Sequence, residues 1–224
     1  LANANNAVPG APFPRHIGQD WAAPYRLRRL AKVLNVREFH TLSGFQSIQT
    51  DTVSEMARAL TPLMAGALWK SAETKSPLKR EALDRLSKWN GDMDAFLAEP
   101  LLFTAWAQAL VRRLTEDDLG PLAAAYGGVR PLFLERVFRD PSGAGARWCD
   151  DTRTEAAESC PQMASLALDD ALAQLSETYG GSIGSWRWGR AHEALHRHRA
   201  FADTPLFGAL LNIRQETGGG DHTI

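Results

Sequence analysis

Apolar residues recur at helical spacing along most of this chain, each run with its own start and stop signals, and this leaves little sequence from which to build a sheet. Tyr25, Leu27, Leu30, Val33 and Leu34 form the first stripe, a short amphipathic helix beginning near Trp21. A longer helix is expected over 47–70, lined by Ile48, Val53, Met56, Leu60 and Met64, with Pro62 kinking or splitting it. Ser76-Pro77 reads as an N-cap followed by proline at the first helical position, Leu78, Leu83, Leu86 and Trp89 follow, and Asn90-Gly91 is the stop. Further helices are expected over 101–114 and over 154–179, the latter ended by Gly180-Gly181, while 116–146 gives no clear pattern. Strand signals are confined to 2–8, 185–188 and the last few positions. The expected fold class is therefore α+β, mostly helical with a few strands, and a helical subdomain is expected at about 38–180.

The charge balance narrows the function classes. A formal net charge of -1 gives no broad positive field for phosphates, so nucleic acid and anionic membranes are set aside as main partners. No apolar stretch approaches the roughly 20 residues of a membrane-crossing helix. The first residues, Leu1-Ala2-Asn3-Ala4-Asn5-Asn6, show no initiator Met and no signal peptide, and the chain breaks off just after Gly218-Gly219-Gly220; both ends read as cut or processed. The two cysteines, Cys149 and Cys160, lie close together in a polar stretch. They read as a disulfide formed in an oxidising compartment, or else as free thiols of a reducing one; a zinc site would need further ligands that the spacing does not offer.

Several landmarks follow one another in order: Asn5-Asn6 with prolines after it, Gly18-Gln19-Asp20-Trp21 leading to Tyr25-Arg26, and Ile48-Gln49-Thr50-Asp51 with Ser54. Then come Leu86-Ser87-Lys88-Trp89-Asn90-Gly91, the Cys149 to Cys160 loop, Trp186-Arg187-Trp188-Gly189 with His192, and Gly219-Gly220-Asp221 with Thr223. Each element is weak alone, but the ordered series resembles the heavy chain of the penicillin acylase family, which includes acyl-homoserine lactone and lipopeptide acylases. The paired-cysteine loop looks more like those two groups than like the penicillin G acylases.

The resemblance implies the C-terminal part of a heavy (beta) chain, within the four-layer αββα fold of the N-terminal nucleophile (Ntn) hydrolases. It implies an amidohydrolase that cleaves a linear amide in an N-acylated small molecule: a β-lactam, an acyl-homoserine lactone or a lipopeptide. The family's nucleophile, usually Ser, is the first residue of the heavy chain after self-cleavage of a precursor, and Leu1 cannot replace it. Implied partners are the light (alpha) chain and the remainder of the heavy chain, and the implied location is periplasmic or secreted. An N-terminal hydroxyl suits amide hydrolysis because its own α-amino group, with a pKa near about 7.7 to 8.0, serves as base. What remains to be supplied is hydrogen-bond donors for the oxyanion. By resemblance Asn5 supplies one through its side-chain amide, and Arg26 orients Asn5 and sits near the nucleophile's amine. Taken alone, Asn5 is a turn former and Arg26 a solvated residue at a helix start, with Arg28 and Arg29 as competitors for its role. The family requires no cofactor, but Asp20 matches a carboxylate that helps hold a structural calcium in some members. Its plainer reading, favoured here, is the N-cap of the helix at Trp21.

One motif competes. His192-Glu193-Ala194-Leu195-His196 satisfies H-E-x-x-H, the zinc peptidase pattern, with Glu216 as a distant third ligand. Against it stand Arg190, Arg197, His198 and Arg199, which crowd positive charge where a cation would bind. Trp186 and Trp188 read as packing residues. The closing glycines read as a turn back toward the catalytic sheet.

Overall fold

A computed structural model describes residues 2–7, 15–70 and 76–224. The elements in chain order are α1 (Tyr25–Leu34), α2 (Leu42–Gln49), α3 (Glu55–Ala65), α4 (Pro77–Lys88), α5 (Glu99–Leu119), α6 (Pro131–Arg139), α7 (Ala146–Cys149), α8 (Cys160–Tyr179), β1 (Glu193–His196), α9 (Pro205–Leu211) and β2 (Ile213–Glu216), with short 3-10 turns between some of them.

The core is organised on α5 and α8. Leu102, Phe103, Trp106, Leu110, Val111 and Leu114 of α5 are all buried, so this helix is apolar over much more than one stripe, as befits a central position. Facing it, α8 presents Ala164, Ala167, Leu168, Ala171 and Leu175 at three- and four-residue spacing, and the alanines let the two helices approach closely. Trp106 locks the pair: it is fully buried and its Nε1 donates to the Ala164 carbonyl at 2.8 Å. A second tie is the buried Lys79 of α4, whose Nζ reaches the Ser165 carbonyl, Ser165 Oγ and Asp169 on α8 at 2.9, 2.7 and 2.7 Å. Burial of this charge is offset because all three of its donors find acceptors.

Helix boundaries follow the local chemistry. Ser76 caps α4 by accepting from the Lys79 N–H, as the Ser-Pro signal indicates. The stretch expected as one helix over 47–70 is two helices, and the break precedes Pro62 rather than falling at it. Residues 51–54 are extended because their backbone groups pair with the turn after α4, with Ser54 N–H donating to Gly91 O at 2.8 Å and Met93 N–H to Thr52 O at 3.0 Å. Ser54 then caps α3 by accepting from the Ala57 N–H. Pro62 sits in the last turns of α3, where one missing N–H is tolerated. The central helix runs on to Leu119, five residues past its expected end, and α8 begins at Cys160 rather than at 154. A reciprocal capping box between Ser159 and Gln162 fixes that start.

Strands lie elsewhere than expected. In the 185–188 segment Ser185 ends one 3-10 turn and Trp188 begins another, with Trp186 and Arg187 extended between them but outside any strand; the last residues form a turn, and within 2–7 only Asn6 makes a bridge, to Ala22, while Val8 lies outside the described residues. The sheet among the described residues is a two-stranded antiparallel hairpin of β1 and β2 with Glu193 opposite Glu216 and His196 opposite Ile213. Its insertion carries α9.

Cys149 and Cys160 are joined, closing the loop between α7 and α8. With a sequence separation of 11, the bridge removes loop-closure entropy worth about 3 kcal/mol from the unfolded chain. Reduction of the native protein is therefore expected to lower its denaturation midpoint and to release two thiols. Two alkylatable thiols before reduction would show that the bridge does not form.

Candidate active site

Asn5 and Arg26 are brought together by two short segments. The Ala22 N–H donates to the Asn5 carbonyl at 2.8 Å, and the buried Asn6 accepts the Ala4 N–H on its Oδ1 while donating from Nδ2 to the Ala7 carbonyl. These bonds lay the 4–7 segment against the chain entering α1. Arg26, in the first turn of α1, then reaches across: one Nη2 donates to Asn5 Oδ1 at 2.8 Å and to the Ala4 carbonyl at 3.0 Å.

This contact settles which way the Asn5 amide points. A guanidinium has no acceptor, so it takes the amide oxygen and leaves the Nδ2 hydrogens for another partner. Among the described residues Nδ2 donates to none, and Asn5 is exposed. Asn5 is also the one non-glycine among the described residues with positive φ, at 62°. Asparagine tolerates that left-handed backbone better than most residues. The competitors for Arg26 are occupied elsewhere. Arg29 is bidentate to Asp51 at 2.6 and 2.8 Å, and Arg28 lies over the Tyr25 ring.

The next residue toward the core anchors the start of α1. Tyr25 is fully buried and its hydroxyl donates to Glu135 Oε2 of α6 at 2.5 Å. Burial first, and then the Glu135 carboxylate, push the Tyr25 pKa upward, while the same hydrogen bond holds Glu135 below the usual carboxylate range. Against the other side of Tyr25 stands His222, with ring centroids 5.9 Å apart and planes nearly perpendicular. Sequence reasoning missed His222; the signal available was a histidine two residues after the run of three glycines.

Asp20 does not cap α1. The helix starts at Tyr25, its N-cap position is Pro24 with no side-chain cap bond, and Asp20 is exposed ahead of it. No group of three or more His, Cys, Asp or Glu residues that could hold a metal exists among the described residues.

The zinc reading fails on backbone geometry. The motif needs a helix to bring its two histidines onto one face a turn apart, but 193–196 is β1, where residues four apart are about 13 Å from each other. His192 stacks on Trp188 at 4.8 Å and its Nδ1 donates to the Thr217 carbonyl; Glu193 pairs with Arg214.

In fold, the chain is similar to the thermostable penicillin G acylase from Alcaligenes faecalis, with a TM-score of 0.63 at 17% identity over 97% of this chain and 44% of that one. The chain belongs to the penicillin amidase family, whose profile matches residues 1–224. It is 25% identical to the acyl-homoserine lactone acylase QuiP of Pseudomonas syringae pv. tomato over 244 aligned residues, which is all of this chain and 29% of that protein. It is likewise 25% identical to the penicillin acylase 2 proenzyme of Pseudomonas sp. over 99% of this chain and 27% of the relative. The chain thus spans less than a third of the length of these relatives.

Proposed function

We infer that this chain is the oxyanion-binding and scaffolding part of an amidohydrolase that hydrolyses N-acylated small molecules, with the nucleophile supplied by residues outside the 224. The observation that carries the reading is the Arg26 to Asn5 Oδ1 bond, which holds the amide oxygen and frees Nδ2 to donate. In the complete site the attacking hydroxyl gives its proton to its own α-amino group and adds to the substrate carbonyl. Negative charge then grows on the carbonyl oxygen, where the Asn5 N–H is aimed; collapse of the tetrahedral intermediate breaks the C–N bond, the amine leaves with the proton held by the α-ammonium, and water then hydrolyses the acyl ester to regenerate the hydroxyl. Arg26 also places a permanent positive charge beside this region, which favours the neutral, basic form of the nearby amine.

The relatives' names are those of acylases acting on acyl-homoserine lactones and penicillins, which supports an N-acyl amide as substrate. Acyl-homoserine lactones are the first class to test, in keeping with a role in quorum quenching. The light chain, the remainder of the heavy chain and self-cleavage of a common precursor complete the proposal. The disulfide supports a periplasmic or secreted location, since such bonds persist in oxidising compartments. A structural calcium using Asp20 would take further oxygen ligands, from carboxylates or carbonyls, beside it.

The test is to express the full precursor, sequence the new N-terminus of its heavy chain, and follow release of free amine from acyl-homoserine lactones. A Ser, Thr or Cys at that N-terminus with turnover is expected, and the isolated 224-residue chain is expected to be inactive. A processed precursor with no nucleophilic N-terminal residue would remove the reading. Arg26→Lys in the processed enzyme keeps the charge but not the reach of the fork, and loss of one charge-assisted bond lowers the rate by about tenfold. An unchanged rate would show that Asn5 is oriented by something else.

A further inference from the structure

The turn 218–223 is fastened from several sides. Gly219, at φ 79°, donates its N–H to the Met93 carbonyl at 2.8 Å, and its own carbonyl accepts from Trp188 Nε1 at 2.9 Å. Thr223 Oγ1 closes the turn by accepting the Gly220 N–H and donating to the Gly220 carbonyl, at 3.0 and 2.9 Å. A turn held this way has little freedom, so the place of His222 is set by the backbone. That place is edge-on to Tyr25, whose chain neighbour is Arg26.

We propose that His222 is a positioning residue: as a neutral ring it backs the start of α1 and keeps Arg26 on Asn5, and on protonation it repels Arg26 and loosens the oxyanion donor. The proposal rests on the reading of Asn5 and Arg26 given above. The groups that face His222 can be named. From α1 come Arg26, which opposes a second positive charge, and Tyr25, whose hydroxyl is committed to Glu135 of α6. From its own turn comes Asp221, which favours the charge, and His192 lines the same 220 Å³ cavity. The cavity lining from α3 and α5, Met56, Thr104 and Gln108, carries no charge. Burial is the largest influence and lowers the His222 pKa from the ordinary 6.5, with Arg26 acting in the same direction. The neutral ring is therefore the resting form at pH 7, and the proton arrives from solvent only on acidification.

The experiment is a pH profile of kcat/KM on the complete processed enzyme with an acyl-homoserine lactone. One proton on the nucleophile's amine gives a logarithmic slope of about 1 below its pKa, and a second on His222, whose pKa lies below the ordinary histidine value, steepens it toward about 2 as that group titrates. His222→Phe keeps the ring against Tyr25 but cannot titrate; kcat at pH 8.5 is expected to fall by about threefold while the acid slope stays near 1. His222→Lys carries the charge throughout and is expected to lower kcat at pH 8.5 by about tenfold or more, with KM less affected. Identical acid slopes for the parent and His222→Phe overturn the proposal, whether or not the Lys variant folds. Asn5→Ala in the same assay separates the two claims. An unchanged rate there sinks the oxyanion reading itself, whereas a large loss there with no change of slope in His222→Phe sinks only the role of His222.

Discussion

In the complete enzyme proposed above, Asn5→Ala is expected to lower the rate of acyl transfer by about 100-fold or more, roughly 2.7 to 4 kcal/mol, with a much smaller change in substrate binding. The asymmetry arises because the donor matters most once negative charge has developed on the carbonyl oxygen, so its loss falls on the transition state. Backbone geometry calls for a control. Asn5 holds φ at 62°, a conformation that alanine adopts less readily, so the Ala variant also carries strain of about 1 kcal/mol or more. Asn5→Gly removes the amide without that strain and is expected to lose as much rate. Should Asn5→Gly keep near-parental kinetics while Asn5→Ala melts early, Asn5 is a turn former and the catalytic assignment ends.

The largest stability effect is expected at Trp106. Its ring is fully buried between α5 and α8, and its indole N–H is spent on the Ala164 carbonyl. Trp106→Ala leaves a cavity in a close-packed interface and is expected to cost about 3 to 5 kcal/mol. Trp106→Phe keeps most of the volume and gives up the hydrogen bond, adding about 1 kcal/mol for the bond to a smaller packing loss. Denaturant midpoints of the parent and variant proteins check both. A shift in the Ala variant worth under about 1 kcal/mol would mean that the interface collapses around the gap, and that Trp106 is not what holds the two helices together.

The helices were legible where local chemistry decides them. Ser76-Pro77 starts α4 and Gly180 ends α8 because caps and backbone freedom act over a few residues. Long-range pairing was not legible. The extended segment at 51–54 exists because the 91–93 turn is there to pair with it, and nothing near Thr52 in sequence announces that partner. The H-E-x-x-H stretch shows the same limit: its spacing fits a helix face, yet cross-strand partners at 213–216 take its backbone into a hairpin. At the candidate site, Asn5 and Arg26 were found through the ordered resemblance, not through their own neighbourhoods, where each reads as a surface residue. His222 escaped both routes, since its place depends on tertiary bonds from Trp188 and Met93 to the turn that carries it.

The backbone at Asn5 bears on how such sequences should be compared. A left-handed position restricts substitution largely to Gly, Asn and Asp whatever the residue's chemistry, because other side chains crowd the following carbonyl. A descendant that had lost its nucleophile would still be under pressure from folding to retain a residue of this kind. An asparagine at this position is therefore poor evidence that a given copy is an active enzyme. The arginine in the first turn of α1 is the better witness, because helix α1 forms as well with many other residues there and a guanidinium is asked for only by its bonds to the Asn5 amide oxygen and the Ala4 carbonyl.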